Sequence, residues 1–265
     1  MMKKTLIGAL IAGFALAILV TAVVISKNVK APAKPPAARA QGDAALAQGD
    51  LVAARALYKQ AMELGTDADR MQETKKRIED INMKILLSPI IDICSVAYAV
   101  KPGDNLAKIA KEHNTTIGLI KRANNLTSDV IRPGQALKIT TCTFSIVVDK
   151  SQNLLFLKVR DEVVKTYVVS TGKNNSSPIG TFTIINKLPN PTWFRAGAVV
   201  SADSPENILG SRWMGFNLKG YGIHGTTLPQ ELGTQVTLGC VRMKNEEVEE
   251  LYDIVPEGTE VMIVD

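Results

Sequence analysis

The stretch that decides the fold of the C-terminal half is Thr237-Leu238-Gly239-Cys240-Val241-Arg242-Met243, and the run Gly222-Ile223-His224-Gly225-Thr226 comes shortly before it. A thiol attacks as its thiolate, and an imidazole within hydrogen-bond reach can take its proton. Glycine at position 239 permits a turn that aims backbone N–H groups at an oxyanion, and the charge of Arg242 favours the thiolate. These residue types fit nucleophilic acyl transfer, although a lone cysteine and a lone histidine are more often structural.

Short runs with strand character surround these two stretches and are separated by turn sequences. They are Phe144 to Val148, Leu154 to Val159, Val163 to Ser170, Gly180 to Ile185 and Glu260 to Val264. Short strands at this spacing predict a β-sandwich or barrel. The apolar stripe of Val248, Leu251, Tyr252 and Ile254 predicts one helix near the end, with Asn245 as its N-cap.

Residues 143–265 resemble the catalytic domain of the YkuD family of L,D-transpeptidases. The hallmark of that family is His-Gly-Thr followed, after a short spacer, by Ser/Thr-x-Gly-Cys-Ile/Val-Arg. Further blocks of the family stand at Val169 to Gly172, Ser177 to Phe182 and Asn190 to Trp193. Leu238 occupies a position where many members have histidine or lysine, so we expect no side-chain help from it.

The resemblance implies a cysteine acyltransferase of peptidoglycan that uses no cofactor and no metal. Cys240 would attack the stem-peptide carbonyl before D-Ala, His224 would move the proton, and the Gly225 carbonyl would hold the imidazole. An amine of a second stem would then resolve the thioester to a 3→3 cross-link. Water, a free D-amino acid or a protein amine are alternative acceptors. A decayed, non-catalytic glycan-binding scaffold is a rival of another class.

The resemblance also implies roles for residues around this pair. We expect the backbone N–H groups of Gly239 and Cys240 to be the oxyanion donors, each worth about 3 kcal/mol in other enzymes. Arg242 would orient the turn or the substrate, or form a structural ion pair. The remaining candidates are Thr237 in the active-site turn and, in the cleft, Thr226, Trp193, Trp213 and Tyr221. For the aromatic residues, plain core packing is an equal alternative.

Residues Tyr98 to Ile139 predict the order βααβ. Their pattern of Tyr-x-Val-x-x-Gly-Asp-x-Leu-x-x-Ile-Ala, a central Asn and Gly-Gln-x-Leu-x-Ile resembles a LysM domain, which we place at 94–142. That family binds glycans containing N-acetylglucosamine, peptidoglycan above all. The groove residues implied by the resemblance are Gly103, Asp104, Asn105, Leu106, Asn125 and Ile131. A degenerate module kept as a spacer is the alternative.

Cys94 and Cys142 flank this module. If its two strands pair with Tyr98 near Ile139, matched residue numbers sum to about 237, and the two cysteines sum to 236. They would then lie nearly opposite each other, within the short Cα separation that a disulfide requires. We therefore expect a disulfide between them, with two free buried thiols as the alternative.

The N-terminal part divides into three segments. Residues 1–26 contain an uncharged stretch with an apolar core of 20 residues from Leu6 to Ile25, long enough to span a hydrocarbon core of about 30 Å. They predict a membrane anchor, or alternatively a cleaved signal. Residues 27–40 are rich in Pro, Ala and Lys and predict a tether. Residues 41–88 predict helices that resemble a tetratricopeptide hairpin and serve as a spacer or a docking platform.

Composition is that of an ordinary globular chain of 265 residues, 46% hydrophobic and 22% charged, which excludes wholesale disorder and a polytopic membrane protein. The net charge of +5 is uneven, because residues before 143 hold 20 Lys and Arg against 12 Asp and Glu. The basic residues show no aromatic interleaving, so nucleic acid is not an expected partner. We expect an extracytoplasmic monomer that faces the cell wall.

Overall fold

The computed structural model describes residues 35–65, 67–195 and 197–265. The predicted anchor at 1–26 and the first part of the predicted tether lie outside the described residues. Within the described part, no helix is long and apolar enough to cross a membrane. Residues 35–40 do not form a tether, because helix α1 already begins at Pro35. Proline is tolerated in the first turn of a helix, and the alanines that follow favour helix.

Three helices form the N-terminal region: α1 (Pro35–Ala47), α2 (Leu51–Leu64) and α3 (Ala68–Leu86). Asp50 caps the start of α2 by accepting a hydrogen bond from the Ala53 N–H at 2.9 Å. Tyr58 is fully buried and packs with the isoleucines on one face of α3. The predicted helices are therefore present and share a small core of their own.

The predicted βααβ order of the next segment is confirmed as β1 (Ser95–Ala99), α4 (Leu106–Glu112), α5 (Ile117–Ala123) and β2 (Ala136–Thr140). The antiparallel register differs from the predicted one, because Tyr98 pairs with Leu137 rather than with Ile139. Cys94 and Cys142 still lie close to opposite each other, with Cα atoms 5.0 Å apart, and form a disulfide. The bridge closes the two ends of the module.

The C-terminal region contains the strands β3 (Phe144–Asp149), β4 (Leu154–Val159), β5 (Glu162–Val168), β6 (Thr171–Gly172), β7 (Gly180–Pro189), β8 (Trp193–Arg195), β9 (Ala198–Val200), β10 (Arg212–Phe216), β11 (Gly222–His224), β12 (Gln235–Thr237), β13 (Val241–Arg242) and β14 (Glu260–Val264), and the helix α6 (Asn245–Ile254). Eight strands form one sheet in the order β13-β11-β10-β7-β14-β3-β4-β5. The pairs β12–β6 and β8–β9 are separate small sheets.

This eight-stranded sheet curls around one core rather than forming two packed sheets. Beyond the end of β5, Ser170 exchanges two backbone hydrogen bonds with Arg242 of β13, at 2.8 and 2.9 Å. The two edges of the sheet approach each other at that point. The inner face carries fully buried aliphatic side chains, and α6 packs Val248, Leu251 and Ile254 against them. The architecture is therefore a partly closed barrel and not the alternative sandwich.

Helix α3 covers β5, the edge strand at one side of this sheet. The carboxylate of Glu79 accepts hydrogen bonds from the backbone N–H and the hydroxyl of Thr166 in β5, at 3.1 and 2.7 Å. The Asn82 amide donates to the carbonyl oxygens of Val163 and Val164. Since unpaired groups of an edge strand invite pairing with other chains, this contact protects the sheet. The predicted spacer is thus an integral part of the catalytic half.

The LysM-like module also packs directly on the catalytic half. Leu119 of α5 is buried in the same core as the strands of the sheet. Arg122 donates from Nε to the carboxylate of Asp253 in α6 at 2.7 Å, and the Thr116 hydroxyl donates to the Asp253 carbonyl oxygen. Gly118 lies against the same carboxylate. The module is therefore held on α6 by apolar, ionic and hydrogen-bonding contacts.

The start of α6 corrects one prediction. Asn245 is the first residue of the helix, and Lys244 occupies the N-cap position without a side-chain capping hydrogen bond. The Asn245 side chain instead bonds to the loops at Ser211 and Thr226. A cap prediction from residue type failed here because more distant backbone groups compete for the same amide.

Candidate active site

Two very short strands bring Cys240 and His224 together. Strand β11 pairs in parallel with β13, so that His224 lies opposite Arg242 and Ile223 lies opposite Val241. The two aliphatic side chains are fully buried and anchor the pair in the core. Cys240 immediately precedes Val241, so by this register it is level with Gly222, two positions before His224 and on the same face of the strand pair.

Both residues line a cavity of about 540 Å³. The other lining residues are Leu188, Pro191, Thr192, Trp193, Phe194, Ile208, Leu209, Trp213, Gly220, Val236, Thr237, Leu238 and Arg242. Two of the predicted cleft residues, Trp193 and Trp213, are among them. Thr226 and Tyr221 are not. Thr226 is buried behind the histidine, and Tyr221 packs against the core next to Gly239.

The imidazole of His224 is held in one orientation. Its Nδ1 lies 2.7 Å from the carbonyl oxygen of Gly225, and the ring stacks on Trp213 with centroids 6.1 Å apart. A carbonyl oxygen can only accept, so Nδ1 carries the hydrogen and Nε2 is left as a base. Burial lowers the pKa of His224 to about 4, a shift that hydrogen bonding to backbone groups partly opposes.

The thiol of Cys240 is also in its neutral form. Burial raises the pKa of this thiol. A hydrogen bond with the backbone of Gly222 and the positive charge of Arg242 lower it, but by less. Its Sγ donates to the carbonyl oxygen of Gly220 at 3.4 Å. The expected thiolate-favouring effect of Arg242 is therefore present but smaller than that of burial. The resting pair is a thiol and a neutral imidazole.

The turn before Cys240 is fixed by two hydroxyl groups. The Thr237 hydroxyl accepts from the Gly239 N–H at 3.1 Å and donates to the Cys240 carbonyl oxygen at 2.7 Å. Ser177 donates to the Gly239 carbonyl oxygen at 2.9 Å. Because threonine closes this local turn, the Gly239 N–H already has a partner and is not free for an oxyanion in this conformation. The role of Ser177 was not predicted from its sequence block.

Arg242 forms an ion pair at the wall of the cavity. Its guanidinium forms an ion pair with Glu231, and its residue is 5% exposed at the wall of the cavity. Among the described residues its Nε has no hydrogen-bond partner. Glu231 is itself held in place, because its backbone carbonyl oxygen accepts the Ser170 hydroxyl. Glu231 could not be found from sequence, since it lies in a turn without a motif.

The predicted glycan-binding residues separate into four groups. The Asp104 carboxylate accepts from the Tyr98 hydroxyl, the Lys101 N–H and the Lys108 ammonium, and these partners lower its pKa to about 2. Asn105 caps α4. Leu106 and Ile131 pack in the core of the module. Gly103 and Asn125 remain exposed on its surface.

The neutral states of the Cys240 thiol and the His224 imidazole predict how the alkylation rate of Cys240 depends on pH. We expect the rate of Cys240 alkylation by iodoacetamide to rise about tenfold per pH unit from about pH 6 to about pH 8, because only the small thiolate fraction reacts. The measurement is the initial rate of mass gain in the intact protein. Cys94 and Cys142 are bridged, so a Cys240→Ala variant gives the background. A rate that is constant over this range would show a thiolate–imidazolium pair and contradict the prediction.

Comparisons with known proteins identify the families of the two C-terminal regions. The L,D-transpeptidase catalytic domain of the YkuD family matches residues 143–263, and the LysM domain matches residues 98–140. A Bacillus licheniformis protein named as an L,D-transpeptidase, YkuD, is 37% identical over 174 residues, which are 63% of this chain and 97% of that protein. In the described residues, no group of three or more His, Cys, Asp or Glu side chains could hold a metal ion.

Two solved structures that are similar to this chain are also named as L,D-transpeptidases. An L,D-transpeptidase from Mycobacterium smegmatis is 20% identical, with 50% of this chain and 64% of that chain covered and a TM-score of 0.39. The catalytic domain of the E. faecium L,D-transpeptidase acylated by ertapenem is 23% identical, with coverages of 46% and 97% and a TM-score of 0.38. Both scores are low, so the assignment rests on the sequence matches. On those matches the chain belongs to the YkuD family of L,D-transpeptidases, cysteine acyltransferases that act on peptidoglycan.

Proposed function

We propose that the protein transfers the acyl group of a peptidoglycan tetrapeptide stem to the amine of a neighbouring stem, giving a 3→3 cross-link. One observation carries the proposal. The Nδ1 of His224 is bonded to the Gly225 carbonyl oxygen in the cavity that Cys240 also lines. This arrangement places the lone pair on Nε2, which can take a proton from a nucleophile in that cavity.

The reaction balances with these two side chains alone. The Cys240 thiol gives its proton to Nε2 of His224 as Sγ bonds to the carbonyl carbon between the third and fourth stem residues. The C–N bond then breaks, and the imidazolium returns the proton to the departing D-Ala amine. In the second half, the acceptor amine attacks the thioester and loses a proton to Nε2, and the thiolate leaves and is reprotonated. No oxidant, metal or cofactor takes part in these steps.

The surrounding groups support charge development on the attacked carbonyl. The Cys240 N–H is the proposed oxyanion donor, because the Gly239 N–H is bonded to Thr237. Arg242 adds a positive charge at the wall of the cavity. Trp213, stacked on the imidazole, shields it from solvent and keeps the ring plane fixed. Interactions of this kind are stronger in a buried site than in water.

The second domain directs the enzyme to its polymer. We propose that the LysM module binds the glycan strand with the exposed surface around Gly103 and Asn125, so that stems are presented at a high effective concentration. The disulfide between Cys94 and Cys142 supports a location outside the cytoplasm, where such bonds persist. A membrane anchor formed by residues 1–26 stays a prediction from sequence.

Muropeptide analysis tests the proposal. Purified sacculi with tetrapeptide stems are incubated with the protein, digested and separated by liquid chromatography with mass detection. We expect new 3→3 dimers with stoichiometric release of D-Ala, and none with Cys240→Ala. Tripeptides without dimers would indicate that water is the acceptor, and D-amino acid adducts would indicate exchange; either result would overturn the cross-linking proposal. A profile identical to that of Cys240→Ala would favour the scaffold alternative.

A further inference from the structure

The Asn245 side chain joins three separate segments behind the histidine. Its Oδ1 accepts from the Thr226 N–H at 3.0 Å and from the Ser211 N–H at 3.2 Å. Its Nδ2 donates to the Thr226 carbonyl oxygen at 2.9 Å. Three of the hydrogen bonds that a primary amide can form are therefore used on backbone groups.

The contact with Thr226 acts on the peptide unit that holds His224. The peptide between Gly225 and Thr226 has its N–H bonded to Asn245 and its carbonyl oxygen bonded to Nδ1 of His224. Its plane is thus fixed at both ends. A hydrogen bond on the N–H side also polarises the carbonyl and strengthens its bond to Nδ1–H.

The neighbouring glycines make room for this amide. A Cβ at Gly225 would lie 2.2 Å from the Asn245 Oδ1, and a Cβ at Gly210 would lie 2.3 Å from it. Either methyl group would push the amide away from the loop. The Asn245 amide can therefore approach the loop only because both positions are glycine. Since the amide is bonded to the loop, it does not cap its own helix.

We propose that Asn245 is a positioning residue that selects the tautomer of His224 with the hydrogen on Nδ1 and the lone pair on Nε2. The inference deepens the proposed function, because Nε2 is the atom that must accept the thiol proton. Without the amide, the peptide of Gly225 could tilt and its carbonyl would no longer demand a hydrogen on Nδ1. A fraction of the imidazole would then carry its hydrogen on Nε2 and could not act as the base.

The direct test is the ¹⁵N chemical shift of the imidazole nitrogens. The chain has two histidines, so His113, in the LysM module, is an internal reference in the same spectrum. In the wild type we expect Nδ1 of His224 at the shift of a protonated nitrogen and Nε2 at that of an unprotonated one. In Asn245→Ala the two shifts should move toward each other, while those of His113 stay unchanged.

Acylation kinetics give the second readout. We expect the maximal rate of acylation of Asn245→Ala by ertapenem to fall roughly 10- to 100-fold, with the half-saturating concentration changed less than about threefold. Asn245→Asp keeps an acceptor for the Thr226 N–H and should recover part of the rate and of the shift separation. Glu246→Ala, an exposed change in the first turn of α6, controls for an effect on helix stability alone.

Three results would overturn the inference: unchanged His224 shifts in a folded Asn245→Ala, an acylation rate within twofold of the wild type, or an equal loss in Glu246→Ala. If Asn245→Ala does not fold, Asn245→Asp carries the same two measurements, and no shift change together with a wild-type rate overturns it. The two tests are independent. If Asn245→Ala changes the ¹⁵N shifts of His224 but the wild-type protein forms no 3→3 dimers, the positioning role of Asn245 holds and the proposed cross-linking function fails.

Discussion

Ertapenem should add one molecule to the wild-type protein, at Cys240, and none to Cys240→Ala. The thiol lies in the cavity beside a base with its lone pair on Nε2, whereas Cys94 and Cys142 are bridged. Loss of a nucleophile that acts with a general base costs at least about 10³-fold in turnover in other acyl-transfer enzymes. We therefore expect product formation from stem peptides to fall below detection as well. Intact-mass spectrometry and peptide mapping measure the first effect, and muropeptide release measures the second.

The substitution should leave the fold intact, which makes the result interpretable. The Sγ atom makes only weak contacts with backbone groups, at the Gly220 carbonyl oxygen and at Gly222. Leu238→Ala is the matched control, since Leu238 is the exposed neighbour in the same turn at 90% exposure. It should keep the adduct. An adduct of equal yield on Cys240→Ala would sink the assignment of the nucleophile.

Replacement of Gly239 by alanine should lower the acylation rate at least about 100-fold, since displacement of a reacting atom by about 1 Å can have that effect. Gly239 has φ of +125°, and a Cβ there would lie 2.6 Å from Cε1 of Tyr221 and 3.2 Å from the Ser176 carbonyl oxygen. The backbone of the turn has to move to relieve these contacts. Cys240 is the next residue and moves with it.

Gly258→Ala separates steric displacement from backbone strain. Gly258 also has a positive φ, +90°, but a Cβ there would meet nothing within 4 Å. Both variants should lose about 1 kcal/mol or more of unfolding free energy through strain, yet only Gly239→Ala should lose acylation. Thermal unfolding and the time course of ertapenem adduct formation measure the two effects. Wild-type acylation by Gly239→Ala would contradict the prediction.

Helices and strands that are marked by the pattern of neighbouring residues could be predicted from the sequence. Strands β4 and β14 have the predicted bounds, since each is a short and nearly continuous apolar run. The helices α2 and α4 likewise begin directly after a short polar residue, Asp50 or Asn105, whose side chain caps the helix. The strands that carry the site, β11 and β13, were not predicted. They are only three and two residues long, too short for any periodicity.

Contacts between distant segments could not be predicted. Glu79 and Asn82 look like polar surface residues of an amphipathic helix, and only the folded chain shows that their partners are backbone groups of β5. The same applies to Asn245, whose local sequence indicates a cap. The pairing of Cys94 with Cys142 could be derived because one strand register relates them, even though the register was off by one position on each strand.

The position of β14 sets the order in which the catalytic sheet can assemble. Residues Glu260–Val264 lie in its interior, in parallel with β3 on one side and antiparallel to β7 on the other. Strands made more than a hundred residues earlier, such as β3, therefore have one edge unpaired until β14 is available. Contacts of such long separation form slowly and leave apolar surface exposed meanwhile. Until β14 pairs, the unpaired edge of β3 is therefore a site at which a nascent chain can associate with other chains.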